Sequence, residues 1–134
     1  MLPIRPIDHR PIRIAQVGCG SWGRNILRNL VSLKNAEVVA VVDPSPKAQE
    51  LARAMAPHAP VFQSLDLLPV GMADAAVIAT PGSFHTRHTL QCLSAGLHVF
   101  VEKPLAMRVS DAQSMLNATR MSQKIGFVGH LLRY

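Results

Sequence analysis

The feature that most restricts this chain is the run Gly18-Cys19-Gly20-Ser21-Trp22-Gly23, placed directly after a short β-branched stretch and directly before an apolar pattern of helical period. Strand, GxGxxG and helix in that order specify a tight βα turn. Gly18 permits the turn, Gly20 lets the backbone approach a pyrophosphate with no side chain in the way, and Gly23 lets the helix pack close to the sheet. Ser21 and Trp22 complete the loop, and the unpaired N–H groups and dipole of the helix N-terminus face the phosphates. Trp22 packs either near the diphosphate or over the start of the helix, and ordinary packing is the reading favoured. Asp43 stands at the end of the second apolar run, twenty residues past Gly23. There a carboxylate accepts hydrogen bonds from ribose hydroxyls, or else caps the helix that Ser45 and Pro46 introduce.

Around this turn the chain alternates short strands with longer helical patterns, which specifies a parallel sheet built from βαβ units. Strands are expected over residues 12–17, 37–42, 60–62, 75–79, 98–101 and 125–129. Helices are expected over 22–33, 46–55, 84–95 and 110–122, with Ser110 as the last cap. VVAVV (38–42) and AAVIA (75–79) lack polar alternation, as central strands covered on both faces do. The expected fold is therefore α/β, a doubly wound, six-stranded Rossmann sheet with helices on both faces. Residues 1–11, rich in Pro and Arg, read as an arm, and residues 12–134 as one dinucleotide-binding domain with no second domain.

Composition trims the alternatives. At 134 residues, 49% hydrophobic and 16% charged, the chain suits one globular core. Its net charge of +6 is spread over scattered residues such as Arg5, Arg10, Arg13, Arg24 and Arg28, and one Trp, one Tyr and four Phe offer little for stacking bases. A nucleic-acid partner is not expected. Two cysteines without ligand spacing and six dispersed histidines argue against a disulfide framework or a metal. Pro3, Pro6, Asp8 and Pro11 interrupt any leader core, and no apolar run reaches about 18 residues, so the expectation is a cytoplasmic protein without a membrane partner. The acid after the second strand would repel a 2′-phosphate and no Arg adjoins it, so NAD is preferred to NADP, with Lys47 keeping the second cofactor in view.

The stretch ATPGSFHTRHTLQCLSAGLHVFVEKPLA (79–106) has a Thr-Pro turn, a His opening a helix, an Ala-Gly-x-His-Val strand entry and Glu-Lys-Pro. Here, and in the closing VGHLLRY, the sequence resembles the glucose-fructose oxidoreductase and inositol dehydrogenase (Gfo/Idh/MocA) family over residues 12–134. The resemblance implies hydride transfer between NAD(P) and a secondary alcohol of a sugar, sugar nucleotide or cyclitol. It implies that Thr80, Pro81, Glu102 and Lys103 line the nicotinamide end, that Lys103 assists proton transfer from the reacting hydroxyl, and that Pro104 follows a cis bond orienting Lys103. His85 either contacts the cofactor or caps its helix, while His88 and His98 are read as structural or exposed. Arg133 is where family members cross into a substrate domain, which also carries the usual oligomer contacts, so the isolated chain is expected to bind cofactor with little turnover. Two other readings fit the glycine turn: a non-catalytic nucleotide-sensing or partner-docking module, and an S-adenosylmethionine methyltransferase, although that loop usually wants a glycine where Trp22 stands.

Overall fold

The computed structural model describes residues 9–130; the Arg133 expectation and most of the N-terminal arm lie outside them. Six strands form one parallel sheet: β1 (Ile12–Val17), β2 (Ala36–Val42), β3 (Val61–Phe62), β4 (Ala75–Ile78), β5 (His98–Glu102) and β6 (Gly126–Gly129). Their order is β3-β2-β1-β4-β5-β6, with every pairing parallel. The chain winds outward from β1 in both directions, so a crevice opens at the carboxyl ends of β1 and β4, the ligand position of doubly wound sheets. The expected doubly wound fold is the observed one.

Period-two alternation divides the core. Ala15, Val17, Ala40, Val42, Ala76, Ile78, Val99 and Val101 meet Cys92, Leu93 and Met115 of α3 (His85–Ser94) and α4 (Val109–Ser122). The opposite face packs Val41 on Leu27 of α1 (Gly23–Ser32), on Ala48 and Ala52 of α2 (Pro46–Met55) and on Ala56 at its C-cap, and packs Ile14 and Val77 on Leu30. Ser45 opens α2 by accepting from the Ala48 N–H, with Pro46 behind it at the position where a missing N–H costs nothing. The α4 start differs from expectation. Arg108 is its N-cap without a side-chain bond, and Ser110 lies inside the first turn, its carbonyl accepting from the Ser114 hydroxyl. A single-turn 3-10 segment, Gly82–Phe84, precedes α3, so that helix starts one residue later than its apolar period suggests. No helix among the described residues is long and apolar enough to cross a membrane.

At the amino end of the sheet, away from the crevice, Asp74 ties β4 to β1. It accepts from the Arg13 backbone N–H at 2.9 Å and pairs with the guanidinium groups of Arg13 and Arg10, each at 2.8 Å. Arg10 thus fastens the end of the expected arm to the domain. Hydrogen bonds from Arg10 and then Arg13 hold the Asp74 carboxyl well below the usual carboxylate range. A carboxyl whose folded value is depressed stabilises the fold fully above its unfolded value of about 3.9 and loses that contribution as pH falls through the folded value. Asp74→Asn is therefore expected to lower the melting temperature by a few degrees near neutrality, with the gap to wild type closing in strong acid. Thermal unfolding over a pH series checks this.

Candidate functional site

The glycine turn is built by contacts that exclude larger residues. Gly18 has φ +94°, a conformation that side chains rarely adopt, and a Cβ there would stand 2.8 Å from the Ala79 carbonyl group and the Thr80 nitrogen. Its N–H donates to the Val42 carbonyl at 2.8 Å, fastening the loop to β2. Gly23 lies against the Gly18 carbonyl too closely for any Cβ. Gly20 differs, since nothing stands within 4 Å of where its Cβ would be, and its missing side chain opens onto the crevice. Beneath the loop, Gln16 is fully buried at the end of β1 and donates from Nε2 to the carbonyls of both Gly18 and Gly23, clamping the two ends of the turn. Its Oε1 is buried with no partner among the described residues.

Asp43, 8% exposed, accepts from the Cys19 N–H through Oδ2 and from the Ser45 N–H through Oδ1, both at 2.8 Å. The helix cap belongs to Ser45, so Asp43 does not act as the cap of α2. Each carboxylate oxygen has one amide partner and lone pairs left over, and the residue lines the crevice. The carboxylate therefore braces the loop and still presents acceptors to a ligand.

The far wall comes from the turn after β4. Thr80 and Pro81 line the crevice, with the Thr80 hydroxyl 3.1 Å from His88 Nδ1 and the Phe84 ring stacked on His88 at 5.7 Å. Burial, then the charges of Arg87 and His85, lower the His88 pKa and keep its ring neutral near pH 7. His88 is thus a structural part of the wall. Asp66, just past β3, accepts from Gln91 Nε2 at 2.7 Å and joins the walls at one end. Gln16, Phe84, His88, Asp66 and Gln91 were not foreseen from the sequence. The signals present were an amide inside an otherwise apolar strand next to the glycine turn, and Phe84 and His88 one helical turn apart.

The open crevice between these walls, about 1270 Å³, is larger than the 300–1,000 Å³ or so of a drug-sized pocket. It brings together Gly18, Gly20, Ser21, Trp22, Asp43, Thr80 and Pro81, with Lys47 on its rim. Trp22 lines the crevice at the N-cap position of α1 and is 46% exposed, so it is not buried in the ordinary packing expected of it. Cys19 is buried in the loop and Cys92 in the core. Burial raises both thiol pKa values, Cys92 to about 12, which leaves neither a thiolate.

Four expected residues do not line this crevice. Gly23 is in the helix behind the loop. Glu102 and Lys103 sit at the carboxyl end of β5, beyond Pro81. Glu102 is buried with Oε2 unpartnered among the described residues, and Lys103 is exposed, with no ion pair to Glu102. The Lys103–Pro104 peptide bond is cis, as the resemblance implied. His85 is not the cap of its helix. The ring is 1% exposed and takes no part in capping α3, because both its nitrogens meet loop carbonyls, Thr80 through Nε2 and Pro104 through Nδ1, each at 2.6 Å.

The family described as "Oxidoreductase family, NAD-binding Rossmann fold" (Gfo/Idh/MocA) matches residues 12–130. The chain belongs to this family. Among curated relatives it is 33% identical to an inositol 2-dehydrogenase of Acidiphilium cryptum, over 92% of this chain and 38% of that protein. It is 31% identical to a 4-carboxy-2-hydroxymuconate-6-semialdehyde dehydrogenase of a Sphingobium species, over 92% of this chain and 39% of that protein. Among solved structures, the WlbA dehydrogenase of Bordetella pertussis, in complex with NADH and UDP-GlcNAcA, superimposes with a TM-score of 0.82 at 36% identity, over 89% of this chain and 37% of that one. The Gfo/Idh/MocA chain described here thus spans under two fifths of the length of these relatives.

Proposed function

We propose that this chain is the cofactor-binding part of an NAD-dependent oxidoreductase that moves a hydride between the nicotinamide and a secondary alcohol carbon of a sugar, sugar nucleotide or cyclitol. The observation that carries the reading is the open space at Gly20 beside the Asp43 carboxylate. Backbone N–H groups at the start of α1 take the pyrophosphate there, and Asp43 accepts from the adenosine ribose. Ser21 and Trp22 belong to that loop and Gly23 lets the helix behind it pack close, while Thr80, Pro81, Glu102 and Lys103 serve the nicotinamide end. Relatives named for inositol and a structure holding UDP-GlcNAcA support the substrate class.

When bound, NAD supplies the hydride acceptor. The chain's part in that chemistry is electrostatic and protonic. As a hydroxyl loses its proton, the Lys103 ammonium, exposed and unpaired with Glu102, stabilises developing alkoxide charge or relays the proton. The chain alone binds cofactor without efficient turnover.

Calorimetric titration of the 134-residue chain with NAD, NADP and S-adenosylmethionine tests the reading. The expected order is NAD tighter than NADP by about tenfold or more, because the 2′-phosphate meets the Asp43 carboxylate, with no heat from the methyl donor. Heat from the methyl donor alone would favour the methyltransferase reading, and silence from all three would leave the cofactor assignment without support.

A further inference from the structure

The mechanism above leaves unused a buried ring placed between the two loops of the nicotinamide end. His85 opens α3 and is 1% exposed, with Nε2 on the Thr80 carbonyl and Nδ1 on the Pro104 carbonyl, each at 2.6 Å. A carbonyl oxygen only accepts, so the ring bonds both partners when each nitrogen carries a hydrogen, and with a single N–H it bonds one and packs against the other.

Those partners leave the sheet on neighbouring strands. Their ladder ends at Ile78 and Val101, and past it no backbone hydrogen bond joins the 79–84 turn to the 102–107 loop among the described residues. Polar connection between the segments therefore passes through the His85 ring, reinforced by the approach of Gly82 to Pro104 and Met107. One end of that connection is Thr80, which lines the crevice and whose hydroxyl meets His88. Its other end adjoins Lys103.

We infer that His85 is a positioning residue that sets the gap between the Thr80–Pro81 turn and Lys103, and so shapes the nicotinamide end of the cleft without touching the cofactor. The inference rests on the proposed NAD reading. Elements that hold an interacting group in place from behind have effects of their own when removed, since a site fixed to within a fraction of an ångström depends on its supports. Asp43, which holds the adenosine ribose in that reading, follows β2 and lies on the other side of β1 from this tie.

The test compares NAD with ADP-ribose, which shares everything but the nicotinamide, on the full 134-residue chain as wild type, His85→Leu and His85→Gln. His85→Leu should weaken NAD about tenfold, a change of about 1.4 kcal/mol, and leave ADP-ribose within about twofold, while His85→Gln, which keeps one amide donor, recovers part of the loss. Equal effects on both ligands, no effect on either, or wild type binding NAD no more tightly than ADP-ribose would overturn the inference. Wild type binding neither ligand is a separate result that removes the NAD reading and this inference with it. Should His85→Leu not fold, His85→Gln carries the same comparison, and in wild type a His85 ring N–H protected from solvent exchange by NMR is expected; a freely exchanging ring would refute the tie.

Discussion

Gly18→Ala is expected to remove both stability and cofactor binding, whereas Gly20→Ala removes binding alone. At Gly18 a methyl group meets the Ala79–Thr80 peptide group at 2.8 Å, and backbone cannot swing away as a side chain can. The positive φ adds about 1–2 kcal/mol for any L side chain. Together these remove several kcal/mol from a total stability of about 5–15 kcal/mol, and they push apart β1 and β4 where the crevice opens. At Gly20 the same methyl meets no protein atom within 4 Å, so the fold is untouched, but the space it fills is the one a pyrophosphate needs. Thermal melts paired with NAD titrations separate the two outcomes. A Gly20→Ala protein that binds NAD as wild type does would place the phosphates elsewhere.

The second large effect is expected at Asp43. Asp43→Ala takes the acceptor from the buried Cys19 N–H and from the Ser45 N–H, and a buried donor left alone costs about 1–3 kcal/mol. It also removes the acceptor for the ribose hydroxyls. NAD affinity should fall about a hundredfold, equivalent to about 2.8 kcal/mol, and NADP affinity much less, since the repulsive charge leaves with the side chain. Loop bracing and ribose contact are separated by repeating the titration with NAD lacking the adenosine 2′-hydroxyl. Coupling between the variant and the missing hydroxyl is expected, and its absence would reduce Asp43 to a brace.

Local patterns carried most of the fold. VVAVV and AAVIA announce central strands because nothing polar alternates within them, and the order of elements then allows few windings besides the observed one. Boundaries were less legible. The 3-10 turn at Gly82–Phe84 uses residues that an α-helix tolerates, and the start of α4 at Val109 left no trace because Arg108, its N-cap, makes no side-chain cap bond. Within the site, Gly18, Gly20 and Asp43 could be read from spacing since their roles are set by backbone geometry within one βαβ unit. Gln16 could not, because its partners are carbonyls whose direction only the finished turn defines. The Asp66–Gln91 bond and the His85 tie join segments far apart in sequence, and such contacts leave no periodic trace.

The chain has one tryptophan, and it caps α1 at the crevice mouth with nearly half its surface open to solvent. All indole emission from this protein therefore originates a few ångströms from the glycine loop. Ligand arrival at the diphosphate position would register as quenching against a dark background, while loosening at the Asp74 end of the sheet would pass without a signal until the whole domain came apart.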